Sequence, residues 1–278
     1  MVLIIWLNMN NFSKIHIYNR HFSRNRKHPQ RPEWFDYEKC FSNLLFTTNF
    51  NLCDLTVVFE KEEDYDQYFI KKYENIRPFK VKFIDTTKEK WVGKTNEDIA
   101  WSRSIAAAAE VIKNDNNDEN DLIYICDDDF LHVPYWAEIS LDYVINFLPK
   151  DGNWWLCPCD YGDRYFFTDE KHTIDAYGTD LGMYADLLSK VKISNYCHWR
   201  DTPNALTSSI IPVSTFNRDY NDFWERGYSD CSLCNQIKIK YNTIFWSPLR
   251  PLSCHTVYPF LPPFANWENV QEEYRIKI

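Results

Sequence analysis

The sequence has few glycines, six in 278 residues. That scarcity excludes a glycine-rich phosphate loop, whose backbone must approach a phosphate closely. Methionine is also scarce, at three. No apolar run is long enough to span a bilayer, and Val2 to Leu7 is too short for a secretory signal. Positive charge is in deficit, with 31 Lys and Arg against 40 Asp and Glu. A net charge of -9 argues against a protein that coats nucleic acid non-specifically. Nine scattered cysteines without a signal fit reduced thiols, so a soluble cytoplasmic protein is expected. The wording is rich in Asn, Lys and Ile, which suggests an AT-rich genome such as that of a virus or phage; the compartment would then be the host cytoplasm.

What is abundant is aromatic: 11 Trp, 18 Tyr and 19 Phe. Such side chains fill a core and also suit pockets that hold flat or sugar-like ligands. One stretch reverses the acidic balance. Arg20, Arg24, Arg26, Lys27 and Arg31, with His21 and His28, stand without an acid between Asn19 and Arg31. It reads either as a solvated loop or as a basic arm for a diphosphate or polyanion.

Hydrophobic spacing predicts alternating elements in the first half. Strands are expected at Ser13 to Asn19, Asp54 to Glu60, Phe79 to Ile84 and Leu122 to Cys126. Helices are expected at Trp34 to Thr48, Asp64 to Tyr73, and from Thr95 or Asn96 to Lys113. That order implies a mostly parallel sheet flanked by helices, with ligands beyond the carboxyl ends of the strands. In the second half strands are expected at Asn153 to Pro158 and Leu206 to Val213, and helices at Asp180 to Lys190 and Ser229 to Lys240. The tail from Trp246 is expected to wrap the surface. The chain reads as one domain, with a donor half over about 13–130 and an acceptor half with its tail over about 131–278.

Asp127, Asp128 and Asp129 follow the strand ending at Cys126. Adjacent carboxylates repel one another unless solvated or offset by a cation. At a strand end they can form a plain acidic turn, or hold Mn²⁺ or Mg²⁺ against a diphosphate. Cys157 and Cys159, with Cys231 and Cys234, leave a weaker zinc reading open. Trp155, Asp160 and Trp199 are candidates for an acceptor pocket, beside the reading that they simply pack.

These features together resemble a GT-A glycosyltransferase, closest in layout to family 2. Ile17-Tyr18-Asn19-Arg20 resembles that family's first strand and its Tyr-Asn-Arg turn. Trp34 to Thr48 and Asp54 to Glu60 resemble the helix and strand that follow. Asp127 and Asp129 match the outer positions of the Asp-x-Asp motif. The resemblance implies a Rossmann-like GT-A fold and a nucleotide-diphosphate sugar donor, a UDP-sugar first. It implies donor contacts from Tyr18, Arg20, Glu60, Arg103, Asp127 and Asp128, and a metal on Asp129, Asp127 and His255. His172 and His198 are alternatives to His255. Gly227 to Cys234 resembles the family's later motif, which implies Asp230 as general base in an inverting transfer to an acceptor hydroxyl. The sequence departs from the family at His16, where proline is usual, and at Glu60-Lys61-Glu62. A glycan, a small molecule or a hydroxylated base in DNA remain open as acceptors. A nucleotidyltransferase and a non-catalytic sugar-binding module are the rival readings.

Overall fold

A computed structural model describes residues 12, 14–21, 31–86, 100–161, 190–202, 208–226, 228, 230–258, 261–262 and 265–277. Its centre is a nine-stranded sheet in the order β3-β2-β1-β4-β9-β6-β10-β8-β7. The strands are β1 (Ile15–His21), β2 (Cys53–Phe59), β3 (Lys80–Phe83), β4 (Leu122–Asp127), β6 (Trp154–Leu156), β7 (Val191–Ile193), β8 (His198–Thr202), β9 (Ile210–Pro212) and β10 (Ile244–Pro248). β1, β2, β3 and β4 are mutually parallel, and β6 is parallel to β10. Only β9 and β8 run against the rest, so the sheet is mixed and mostly parallel. A two-stranded ribbon, β5 (Phe130–His132) with β11 (Ser253–His255), stands beside it.

Helices cover the sheet because its strands are apolar on both faces. In β1 every residue but His16 is buried, and in β4 every residue but Asp127, the pattern of parallel strands shielded on both sides. Helix α1 (Tyr37–Thr47) starts where the Asp36 carboxylate accepts from the Lys39 amide at 3.0 Å, and it buries Cys40, Phe41, Leu44 and Leu45. After β2 come a single turn, α2 (Glu62–Tyr65), and a 3₁₀ turn at Phe69–Tyr73, where one helix was expected. Helix α3 (Ala100–Asn114) buries Ala106 to Ala109, small side chains that let it lie close to the sheet.

The second half is more regular than its sequence suggests. Helix α4 (Trp136–Phe147) follows the β5 ribbon strand and has no counterpart among the expected elements. Of the strand expected over Leu206 to Val213, residues 206–207 lie outside the described residues and 210–212 form β9, which leads into α5 (Val213–Asp219) and a π-helical turn at Tyr220–Trp224. The expected helix from Ser229 is α6 (Asp230–Tyr241). The tail does not merely wrap the surface: it supplies β10, β11 and α7 (Trp267–Glu273), with Trp246, Cys254 and Trp267 buried. The expected helix at Asp180 to Lys190 lies almost wholly outside the described residues. Among the described residues no helix is long and apolar enough to cross a membrane.

Candidate functional site

Chain order reverses between β1 and β4: β2 and β3 extend the sheet on one side of β1, while β4 adds to the other. A crevice opens at such a switch point, beyond the carboxyl ends of the strands. Arg20 on β1 and Asp127 on β4 are direct register partners there. Arg20 Nε donates to Asp127 Oδ1 at 2.6 Å, Nη2 reaches the same oxygen, and Nη1 donates to Ser104 Oγ at 3.1 Å. Its side chain is only 3% exposed.

Neighbouring residues fix the two strand ends. Asn19 Nδ2 donates to the carbonyls of Cys126 and Asp127, at 3.3 and 3.1 Å. Its Oδ1 lies 2.6 Å from His21 Nε2. Burial pushes the His21 pKa down to about 3, against the opposing pull of Asp129. The ring is therefore neutral near pH 7, and it meets the edges of Phe41, Tyr68 and Phe69.

Asp128 and Asp129 form the turn between β4 and β5, and both are buried. Asp129 Oδ2 accepts from Arg31 Nη2 at 2.8 Å and lies 3.2 Å from His255 Nε2. Its carbonyl accepts from the Thr256 amide and hydroxyl, at 3.1 and 2.7 Å. His255 arrives through the ribbon, where it pairs with Phe130 and stacks on that ring at 5.0 Å. Arg31 packs over Phe35 and Tyr37, and donates to Tyr37 Oη and to the Thr256 carbonyl and hydroxyl. Burial alone would raise the Asp129 pKa, but His255 and Arg31 outweigh it and hold the carboxyl well below its usual range. Burial likewise opposes the His255 cation, and Asp129 overcomes it, leaving that pKa raised. Asp129 Oδ1 and Arg31 Nε are both buried without a hydrogen-bond partner among the described residues.

The structure therefore gathers Arg20, Asp127, Asp128, Asp129 and His255. Glu60 stands just beyond β2 at the same end of the sheet and accepts from Thr86 Oγ1 at 2.7 Å. Arg103 is half-buried on α3, but its neighbour Ser104 is what holds Arg20. Tyr18 is not brought to this group. Its hydroxyl donates to Asp115 at 3.0 Å and accepts from Asn117 at 2.8 Å, in the connection that enters β4 at the opposite end. The acceptor candidates Trp155 and Trp199 are core residues, both fully buried. Trp155 stacks on Trp224 and Trp199 on Tyr143. Asp160 is fully buried too, accepting from Arg200 at 2.6 Å and Ser247 at 3.2 Å. Asp230 opens α6, but its side chain lies outside what is described, as does all of His172. His198 is exposed at the start of β8. Arg31, Asn19, Ser104 and Thr256 belong to the site without having been singled out individually. The basic arm gave a signal for Arg31 and the Tyr-Asn-Arg turn one for Asn19; Ser104 and Thr256 had none.

Divalent ions need several oxygen donors turned to one point. Here Asp127 Oδ1 is taken by Arg20, and Asp129 Oδ2 is shared by Arg31 and His255. Among the described residues no three His, Cys, Asp or Glu side chains converge as a metal-binding group. The residues present thus do not fit the Mn²⁺ or Mg²⁺ expected on Asp127, Asp129 and His255, because a guanidinium group holds one oxygen of each carboxylate and no third ligand converges among the described residues. Of the cysteines in the zinc reading, Cys157 donates to the Cys159 carbonyl, both are fully buried, Cys234 is buried, and the Cys231 side chain lies outside the described residues.

No family model matches the sequence, and no characterised protein matches it. Solved structures resemble it in outline. S. aureus TarS 1-349 in complex with UDP-GlcNAc aligns over 84% of this chain, at 12% identity and a TM-score of 0.44, and the chain spans only 55% of that protein. Mouse xyloside xylosyltransferase 1 aligns over 84% of this chain and 83% of its own, at 13% identity and a TM-score of 0.46. The 4-diphosphocytidyl-2C-methyl-D-erythritol synthase of Anaerococcus prevotii covers 93% of each chain, at 10% identity and a TM-score of 0.44.

Proposed function

We propose that this chain is a glycosyltransferase that takes a sugar from a nucleoside-diphosphate sugar, a UDP-sugar first, and delivers it to an acceptor hydroxyl. The observation that carries this reading is the cluster of Arg20, Asp127, Asp129, Arg31 and His255 at the switch point of a mostly parallel sheet. A nucleotide laid across the ends of β1 and β2 has Glu60 and the Tyr68–Phe69 aromatic pair on its base and ribose side. Its diphosphate meets the cations of the aspartate turn. In this reading Asp230, at the start of α6, takes the proton of the acceptor hydroxyl. The hydroxyl oxygen attacks the anomeric carbon from the face opposite the diphosphate, the sugar–phosphate bond breaks, and the configuration inverts. Fixed guanidinium charges at the leaving group stabilise the departing nucleoside diphosphate. The acceptor class stays as open as the sequence leaves it: a glycan, a small molecule or a hydroxylated base in DNA.

The test is a thermal-shift screen of nucleotide sugars followed by product analysis. A true donor binds the folded state and raises the melting temperature. It then yields free nucleoside diphosphate, by transfer or slow hydrolysis. Release of pyrophosphate would point instead to nucleotidyl transfer. Silence across every nucleotide sugar sinks the proposal.

A further inference from the structure

We infer that this site handles the donor's diphosphate without a divalent cation, because the guanidinium groups of Arg20 and Arg31 hold the places on Asp127 and Asp129 that a metal would need. The inference rests on the nucleotide-sugar reading above.

Neither arginine is placed to leave. Arg20 is directed at Asp127 by two nitrogens and at Ser104 by a third, from a fully paired central strand. Swinging it out would break the ion pair of a guanidinium that is itself buried and leave its place in the packing empty. Arg31 lies 4.1 Å from the centre of the Phe35 ring and 5.1 Å from that of Tyr37, and its two terminal nitrogens serve Thr256, Tyr37 and Asp129. Planar guanidinium groups suit such forked and stacked sites. A divalent ion on either carboxylate would therefore sit against a fixed positive charge, with little to gain from carboxylates already offset. At the aspartate turn, Asp129 Oδ1 is buried with no hydrogen-bond partner among the described residues; it is a single donor, and among those residues no set of three forms around it.

The positive charge a metal would bring is already present. Two guanidinium groups stand against the three carboxylates, and His255 adds a third basic group on Asp129. Arginine recognises phosphate as readily as carboxylate, by paired hydrogen bonds.

Two measurements on the whole chain decide the matter. Nucleoside diphosphates (UDP, GDP, ADP, CDP) are titrated by calorimetry in EDTA and again in millimolar Mn²⁺, and Mn²⁺ alone is titrated against the ligand-free protein by electron paramagnetic resonance. The expected result is a diphosphate that binds with Kd changed less than about threefold by Mn²⁺, and Mn²⁺ that stays free without nucleotide. A Kd at least tenfold weaker in EDTA overturns the inference and leaves the nucleotide reading intact, as does stoichiometric Mn²⁺ on the ligand-free chain. Absence of binding by every diphosphate in both conditions overturns the nucleotide reading, and this inference with it. Arg31→Gln, with folding checked by circular dichroism, is expected to weaken binding in EDTA at least tenfold, with Mn²⁺ restoring part of the loss. Arg31→Lys keeps the charge and is expected to lose less. Equal affinity of Arg31→Gln and the wild type in EDTA overturns the role given to Arg31.

Discussion

At the scale of single residues, buried charge decides what can be changed. Arg20 is almost inaccessible and matched by one carboxylate, so Asp127→Asn leaves a guanidinium uncompensated. Removing one member of a buried pair costs about 3–5 kcal/mol, whereas replacing both by apolar groups costs far less. Urea unfolding of Asp127→Asn, and of Arg20→Leu with Asp127→Leu, should show that asymmetry; equal losses would mean the pair is effectively solvated. Two other residues set the response to acid. Burial holds both His21 and His132 down to pKa values of about 3, from 6.5. Between those values the unfolded chain carries protons that the folded chain does not. Stability therefore falls as pH drops from about 6.5 towards 3, by up to about 1.4 kcal/mol per pH unit for each histidine. His255 works the other way. Its raised pKa gives stability that is complete below 6.5 and is lost as pH climbs through the raised value. Asp129, held low, contributes above its ordinary 3.8 and loses that contribution only in strong acid. Unfolding at pH 7.5 and pH 5.5 should show the protein weaker at the lower pH. His132→Gln, which can still bond the Tyr124 hydroxyl, should flatten the slope. An unchanged slope would remove His132 from the account.

At the scale of elements, one turn and one aromatic stack are the informative places. Gly152 precedes β6 with φ +72°, a left-handed conformation that L side chains resist, and a Cβ there would lie 3.2 Å from Thr215 Oγ1. Thr215 in turn donates to the Gly152 carbonyl at 2.5 Å, tying the turn to α5. Gly152→Ala should cost more than 1 kcal/mol in chemical denaturation, since strain adds to crowding; a neutral result would show that the turn relaxes freely. Trp199, stacked on Tyr143 at 4.4 Å, should behave as core. Trp199→Ala is expected to cost about 3–5 kcal/mol while leaving nucleotide binding intact. Selective loss of acceptor turnover without loss of stability would return Trp199 to the site. These two sites also show why the sequence was legible in one half and not in the other. β1, β2 and β4 are six or seven residues long and buried almost throughout, and the carboxyl ends of such strands are where Arg20 and Asp127 were sought. β6, β7, β9 and β11 have three residues each, too few to carry any period, and β6, β9 and β11 pair with strands far along the chain. Aromatics near the expected acceptor site therefore looked available, when they fill the space between those short strands.

At the scale of the whole molecule, distant segments meet around the aspartates. Arg20, Asp127 and His255 come from three parts of the chain separated by more than a hundred residues each, and the ribbon pairing of Phe130 with His255 closes the circle. Composition pointed to the acidic turn and to the basic arm separately. Their pairing, which turns a metal site into a set of ion pairs, depends on contacts at separations of 98 and 107 residues that no local pattern encodes. β1 carries the deepest part of that arrangement, hydrogen-bonded on one side to β2 and on the other to β4 along nearly its whole length. Its amides have no edge from which to open. In deuterated buffer they should exchange among the slowest in the chain, through complete unfolding alone, while those of the edge strand β7 exchange early. Arg20 would then keep its place through every partial opening, and its pairing with Asp127 would be lost only when the sheet itself comes apart.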